Sequence, residues 1–245
     1  MSHRDIPANA PVSLRSLLWP GLQAIRLYWR AIVVLQATAL VLVLGYFHVA
    51  LVREFCEYLA RLRQDWGMIQ PVVGTIIAGV VLPELAKLLL PRAHRQTLTP
   101  GEVLITAVFF AGAGAGAFVD AQYRLLSVLL GDDTGMGTAI SKMLMDQFLM
   151  TPLYGAPYWI LVYAWKANHF RILPTLRPLG RHWYLTKVLP LLIPAWAYWI
   201  PMTLMIFSLP ADLQLSLFVF AMAAWSLVMV FIAQTEAKQA SLPTI

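Results

Sequence analysis

Glu84 and Lys87, three residues apart just after Pro83, fall on one face of a helix and can neutralise each other close to lipid. Ionisable groups at membrane depth are costly and mark polar pathways or interior networks. Lys87 is also near enough to Pro91 to extend its ammonium toward an interface. Asp146 and Gln147 are the second such pair, followed by Pro152 and Pro157, whose missing amides free carbonyls inside a helix. The Gln147 amide can donate to the Asp146 carboxylate, and a carboxylate in a first turn also complements the helix dipole. Glu84, Lys87, Asp146 and Gln147 are therefore the candidates for a pore or polar network, with simple pairing and capping as the alternative.

Enzyme chemistry finds little to use. His3, His48, His94, His169 and His182 show no HExxH spacing, and the chain has no GxSxG elbow. Cys56 is the only cysteine, so neither an intrachain disulfide nor a Cys-based zinc site can form. Gly131-Asp132-Asp133 suits a solvated turn better than a cation site. His169, Arg171, Arg177, Arg181 and His182 form a basic loop that suits anionic lipid headgroups, and the positive-inside bias explains it equally well. No catalytic set, metal site or cofactor is expected.

The elements that would carry these residues are set by composition. The 245 residues are 60% hydrophobic and only 12% charged, against roughly 25% charged in a soluble domain, too few to coat a water-facing surface. The net charge of +6 is dispersed in short clusters between apolar runs, which argues against nucleic acid as a partner. Spans of about 20 apolar residues are expected at Ala31 to Val52, Val72 to Leu90, Val103 to Val119, Phe148 to Trp165 and Leu213 to Ala233. A sixth, Val188 to Leu209, is broken by Pro190, Pro194 and Pro201, and is either a crossing or a dip. The fold class is thus an all-α polytopic transmembrane helix bundle of about six membrane segments, with five as the alternative.

Six crossings with the N-terminus inside put thirteen of the eighteen Lys and Arg on one side. The loop from Asp120 to Ser141 then lies outside, and the basic loop from Lys166 to Lys187 inside. Arg4, Arg15, Arg26 and Arg30 read as charges that orient a retained first span rather than as a targeting arm. Ala111 to Ala117 reads AGAGAGA, in which Gly112 and Gly116 permit close approach of a neighbouring helix.

At Lys142 to Pro152 the sequence KMLMDQFLMTP resembles the Lys-x-x-x-Asp-Gln-x-x-x-x-Pro signature of the family that contains the twenty-two-kilodalton peroxisomal membrane protein and the mitochondrial inner-membrane protein Mpv-seventeen. Tyr58 to Leu62, Thr75 to Glu84, Tyr123 to Gly131, and Phe207, Pro210 and Trp225 resemble further blocks of that family in the same order. The family's Gly-Asp becomes Pro83-Glu84 here, its Asn before Phe becomes Ile206, and its Trp-Asn becomes Trp225-Ser226, so polar groups that could line a pathway are lost. Pro152 and Trp225 join Gly112 and Gly116 as expected packing positions.

The resemblance divides the chain into a basic arm with an additional helix (1–57), a family-like membrane domain (58–233) and a short tail (234–245). It implies a channel-like protein permeable to small solutes with a role in metabolite homeostasis, a non-transporting assembly or lipid-contacting protein being the alternative. The expected partners are the lipid bilayer and small solutes. Self-association into a homo-oligomer stays open, as does the choice among bacterial inner, mitochondrial and peroxisomal membranes.

Overall fold

The computed structural model describes residues 14–88, 99–109, 116–180 and 182–240, and all regular structure among them is helical. The helices are α1 (Leu14–His48), α2 (Ala50–Trp66), α3 (Ile69–Leu88), α4 (Pro100–Phe109), α5 (Gly116–Leu130), α6 (136–167), α7 (Ile172–Leu176), α8 (Tyr184–Phe207) and α9 (Ala211–Ala240). Three described stretches are long and apolar enough to cross a membrane: Gly21–His48, Ile69–Leu88 and Tyr184–Phe207. The expected third span is described in two pieces, α4 and the start of α5. The Phe148 to Trp165 span lies within α6, and the described apolar part of α9 is Ala211–Leu227.

The first expected span is displaced toward the N-terminus. α1 stops at His48, where Val49 is extended (φ −120°, ψ 114°), and Leu51 and Val52 belong to α2 instead. The reason is a cap that apolarity does not encode: the Arg53 guanidinium donates to the carbonyls of Tyr46 (3.2 Å) and Phe47 (2.7 Å), closing the end of α1. α2 itself is amphipathic and has no buried residue, as suits a helix lying along a surface.

The three prolines expected to break the sixth segment do not break it, and α8 runs through Pro190, Pro194 and Pro201 without interruption. Pro201 cannot donate to the Ala197 carbonyl, and Gln36 of α1 supplies the missing hydrogen bond from Nε2 at 2.8 Å. The same solution appears in α6, where residues Asp146–Gly155 form a π-helical stretch around Pro152. In that wider register Pro152 leaves the Gln147 carbonyl free and Pro157 leaves the Pro152 carbonyl free. Trp196 Nε1 donates to the first (2.9 Å) and the Tyr184 hydroxyl to the second (3.0 Å), both from α8. The prolines thus tie α6 and α8 together rather than ending either.

Packing follows two long contacts, α1 along α8 and α9 along α3, with the α5–α6 hairpin set against the far end of α8. Val43, Tyr123, Leu126, Ala139, Met143, Ile206, Phe207 and Leu213 form the largest buried cluster where these elements meet. Its surface is inverted relative to a water-soluble domain: Val128 is 84% exposed and Leu153 71%, whereas Asp120 and Gln147 are each 2% exposed.

Gly21 makes the closest of the glycine approaches, because a Cβ there would overlap the backbone oxygen of Pro190 and press on Ile193 and Pro194. Gly21→Ala should therefore push α1 off α8 and lower stability by about 1–3 kcal/mol, the cost of overpacking. Thermal unfolding in detergent measures it, and Gly101→Ala, where none of the described residues lies within 4 Å of the added methyl, is the control. Of the two glycines expected to pack, Gly116 is buried at the start of α5 and Gly112 lies outside the described residues.

Candidate functional site

A column of polar groups is buried where α5 and α6 face each other. Asp146 accepts from Gln122 Nε2 of α5 at 2.6 Å and from the adjacent Gln147 Nε2 at 3.1 Å. Gln147 is itself buried, and its side-chain oxygen has no partner among the described residues. The π-helical register rotates this part of α6 so that both side chains of the pair point inward. Tyr123, also buried, meets Phe207 of α8 at a tilt and Phe218 of α9 edge-on, with ring centroids 5.0 and 6.0 Å apart.

One turn before Asp146, Lys142 is 1% exposed and donates to the Ser127 hydroxyl at 3.0 Å, with Asp132 at 3.5 Å. On the other side of α5, Asp120 is held between Arg63 of α2 at 2.6 Å and Arg124, one turn along its own helix, at 2.7 Å. Asp120 was expected in an external loop that reaches Ser141. It stands instead in the first turns of α5, and the turn between α5 and α6 is only residues 131–135. The correction has a local cause: an acid four residues before Arg124 completes an ion pair on one helix face, so the charge does not force the chain out of the helix.

The turn closes on itself. Gly131 ends α5 in a positive-φ conformation (99°) with its N–H on the Ser127 carbonyl. Asp133 accepts from the Gly135 N–H and the Thr138 hydroxyl, and those two bonds, the hydroxyl's foremost, hold its carboxyl below the usual aspartate range. The acidic turn is accounted for as the start of α6, and no group of three metal-ligating side chains occurs among the described residues.

Glu84 and Lys87 do pair, at 2.7 Å, and Lys166 at the end of α6 stands 3.5 Å from the same Glu84 oxygen. Lys166 lies twenty residues beyond Asp146 on one helix, about 30 Å along its axis at 1.5 Å per residue. The four candidates for a pore or polar network therefore form two separate sites, Glu84 with Lys87 and Asp146 with Gln147. The pairing of Glu84 with Lys166 also draws the end of α3 to the end of α6, and His169 with Glu102 (3.1 Å) adds α4 at the same end.

Of the remaining packing positions, Trp225 stacks on Tyr198 at 4.7 Å between α8 and α9, and Pro152 anchors the π-helical stretch. Asp120, Arg63, Gln122 and Lys142, which was counted among the external charges, are the members that the sequence did not place in the network. The Asp120–Arg124 spacing was the available signal for the first. Arg63 and Gln122 arrive through tertiary packing and carry no local signature.

Neither protein-family models, curated proteins nor solved structures give a match to this chain.

Proposed function

We propose that the chain is an integral membrane protein with six crossings and that the buried polar groups of α6 that face α5, Lys142, Asp146 and Gln147, line the route by which small polar solutes pass it. The observation that carries this reading is the burial of charged and amide side chains inside a bundle whose outer face is apolar, because polar groups at that depth are expensive and are retained for a task. The resemblance of Lys142 to Pro152 to the peroxisomal and mitochondrial family agrees with it, and a bacterial inner membrane or the membrane of either organelle is the proposed location. Reconstitution into liposomes loaded with small polar solutes tests permeation itself.

A second reading, a membrane protein of assembly or lipid contact without permeation, is favoured by one specific observation. Asp120 and Asp146 both have their partners within the protein, as groups that only hold helices together would. Release assays separate the two readings.

Six crossings place Met1, the 166–187 segment and Ile245 on one side, and the joining of the α3 and α6 ends at Glu84 supports that sorting of Lys87 and Lys166. In a Cys56→Ser background, Ser2→Cys, Ala167→Cys and Ser241→Cys should therefore be labelled by an impermeant maleimide from the same face. Labelling of Ser241→Cys from the opposite face to Ser2→Cys would contradict the six-crossing topology.

A further inference from the structure

The end of the bundle that carries Lys166 holds a cleft remote from Asp146. Its walls are Phe109 of α4, Tyr158, Val162 and Trp165 of α6, and Ile172 and Leu176 of α7, around a volume of about 220 Å³. The short helix α7 is set in place as one wall by a strained turn. His169 (φ 50°) and Phe170 (φ 57°) are consecutive left-handed residues with side chains, a conformation that persists only where its surroundings enforce it. They do: the Phe170 N–H donates to the Trp165 carbonyl at 2.8 Å, the Phe170 ring meets the Trp165 ring at 5.1 Å, and the Asn168 amide donates to the Ala164 carbonyl at 2.8 Å.

The charges around this cleft are unevenly satisfied. Lys87 and Lys166 have Glu84, and His169 has Glu102. Arg171 and Arg177, which flank α7, are exposed and have no acidic partner among the described residues. Arg177 borders a second hollow that shares Leu176 with the first, so a cation stands at the edge of the apolar walls. Ile172 and Leu173 present apolar surface outward on the same short helix.

We propose that this cleft is a binding site for one anionic phospholipid, with an acyl chain along the apolar walls and the phosphate met by Arg177, Arg171 adding charge. The chemistry is complementary at both levels: walls that are wholly apolar for the chain, and two guanidiniums without an acidic partner among the described residues for the headgroup. A positive-inside bias alone would place arginines in this segment but would require neither the cleft nor the strained turn that builds its wall.

The test is native mass spectrometry of the full chain in mild detergent, titrated with phosphatidylglycerol or phosphatidylcholine of identical acyl chains. One phosphatidylglycerol should be retained saturably, with an affinity on the order of tenfold above that for phosphatidylcholine. Arg171→Gln with Arg177→Gln should bring the two lipids to equal affinity. Leu161→Trp, which fills the cleft, should weaken both. Should that variant fail to fold, Leu176→Glu at an exposed wall position carries the same expectation. Equal retention of the two lipids by the wild type, a preference unchanged by the arginine variant, or affinities for both lipids unchanged by the cleft variants would overturn the proposal.

Discussion

Asp120→Ala should lower the unfolding free energy by about 3–5 kcal/mol, the cost of leaving one member of a buried ion pair without its partner. The effect arises mainly at Arg63. Its side chain is 13% exposed and its Nη2 sits 2.6 Å from Asp120, while its Nη1 has no partner among the described residues. Removing the carboxylate therefore strands a partly buried guanidinium that tethers α2 to α5. Arg124 is 65% exposed and can turn to water or headgroups, so Arg124→Ala should cost no more than about 1 kcal/mol. Replacing both members, Asp120→Leu with Arg63→Met, should recover most of the loss, because the desolvation penalty disappears with the pair. Thermal unfolding in a fixed detergent measures all three, and an Asp120→Ala protein within about 1 kcal/mol of wild type would contradict a buried pair.

Asp146→Leu should be the second most damaging change and should differ sharply from Asp146→Asn. Leucine removes both acceptors, leaving the amides of Gln122 and Gln147 without the carboxylate oxygens that they reach at 2.6 and 3.1 Å. Each stranded buried group costs about 1–3 kcal/mol. Asparagine keeps the shape and one acceptor oxygen, and its new amide can donate to the Gln147 oxygen that lacks a partner among the described residues. The Asn variant should therefore unfold within about 1 kcal/mol of wild type. Equal stability of the two variants would place Asp146 in contact with water instead of inside the bundle.

These residues show how far the sequence reaches. Hydropathy expected six apolar segments, and among the described residues three helices, Gly21–His48, Ile69–Leu88 and Tyr184–Phe207, are long and apolar enough to cross a membrane. It mispositioned the end of α1, which depends on where Arg53 folds back onto the Tyr46 and Phe47 carbonyls. It also read Pro190, Pro194 and Pro201 as a break. Whether a proline breaks a helix is decided by what caps the freed carbonyl, and the partner for Ala197 is Gln36, 161 residues away.

The pairing of Glu84 with Lys87 was legible because both stand on one helix face, as is the pairing of Asp120 with Arg124. The contact of Gln122 with Asp146 was not, since it needs the register between α5 and α6 that the 131–135 turn and the π-helical stretch set together. Nor could spacing show that Glu84 and Asp146 belong to opposite ends of the bundle, which follows from Lys166 meeting Glu84.

Solute release from liposomes tests whether the buried polar groups around Asp146 are a route for small polar solutes. Purified wild type and Asp146→Asn, matched for amount and orientation, are reconstituted around trapped urea, glycerol and sucrose. The wild type should release the smaller solutes faster than protein-free liposomes and retain sucrose longest. Asp146→Asn, folded to the same extent, should change the release rate several-fold. Wild-type release no faster than from protein-free liposomes, or the same rate from Asp146→Asn, would contradict that role and leave these groups as a device that only holds α5 and α6 together.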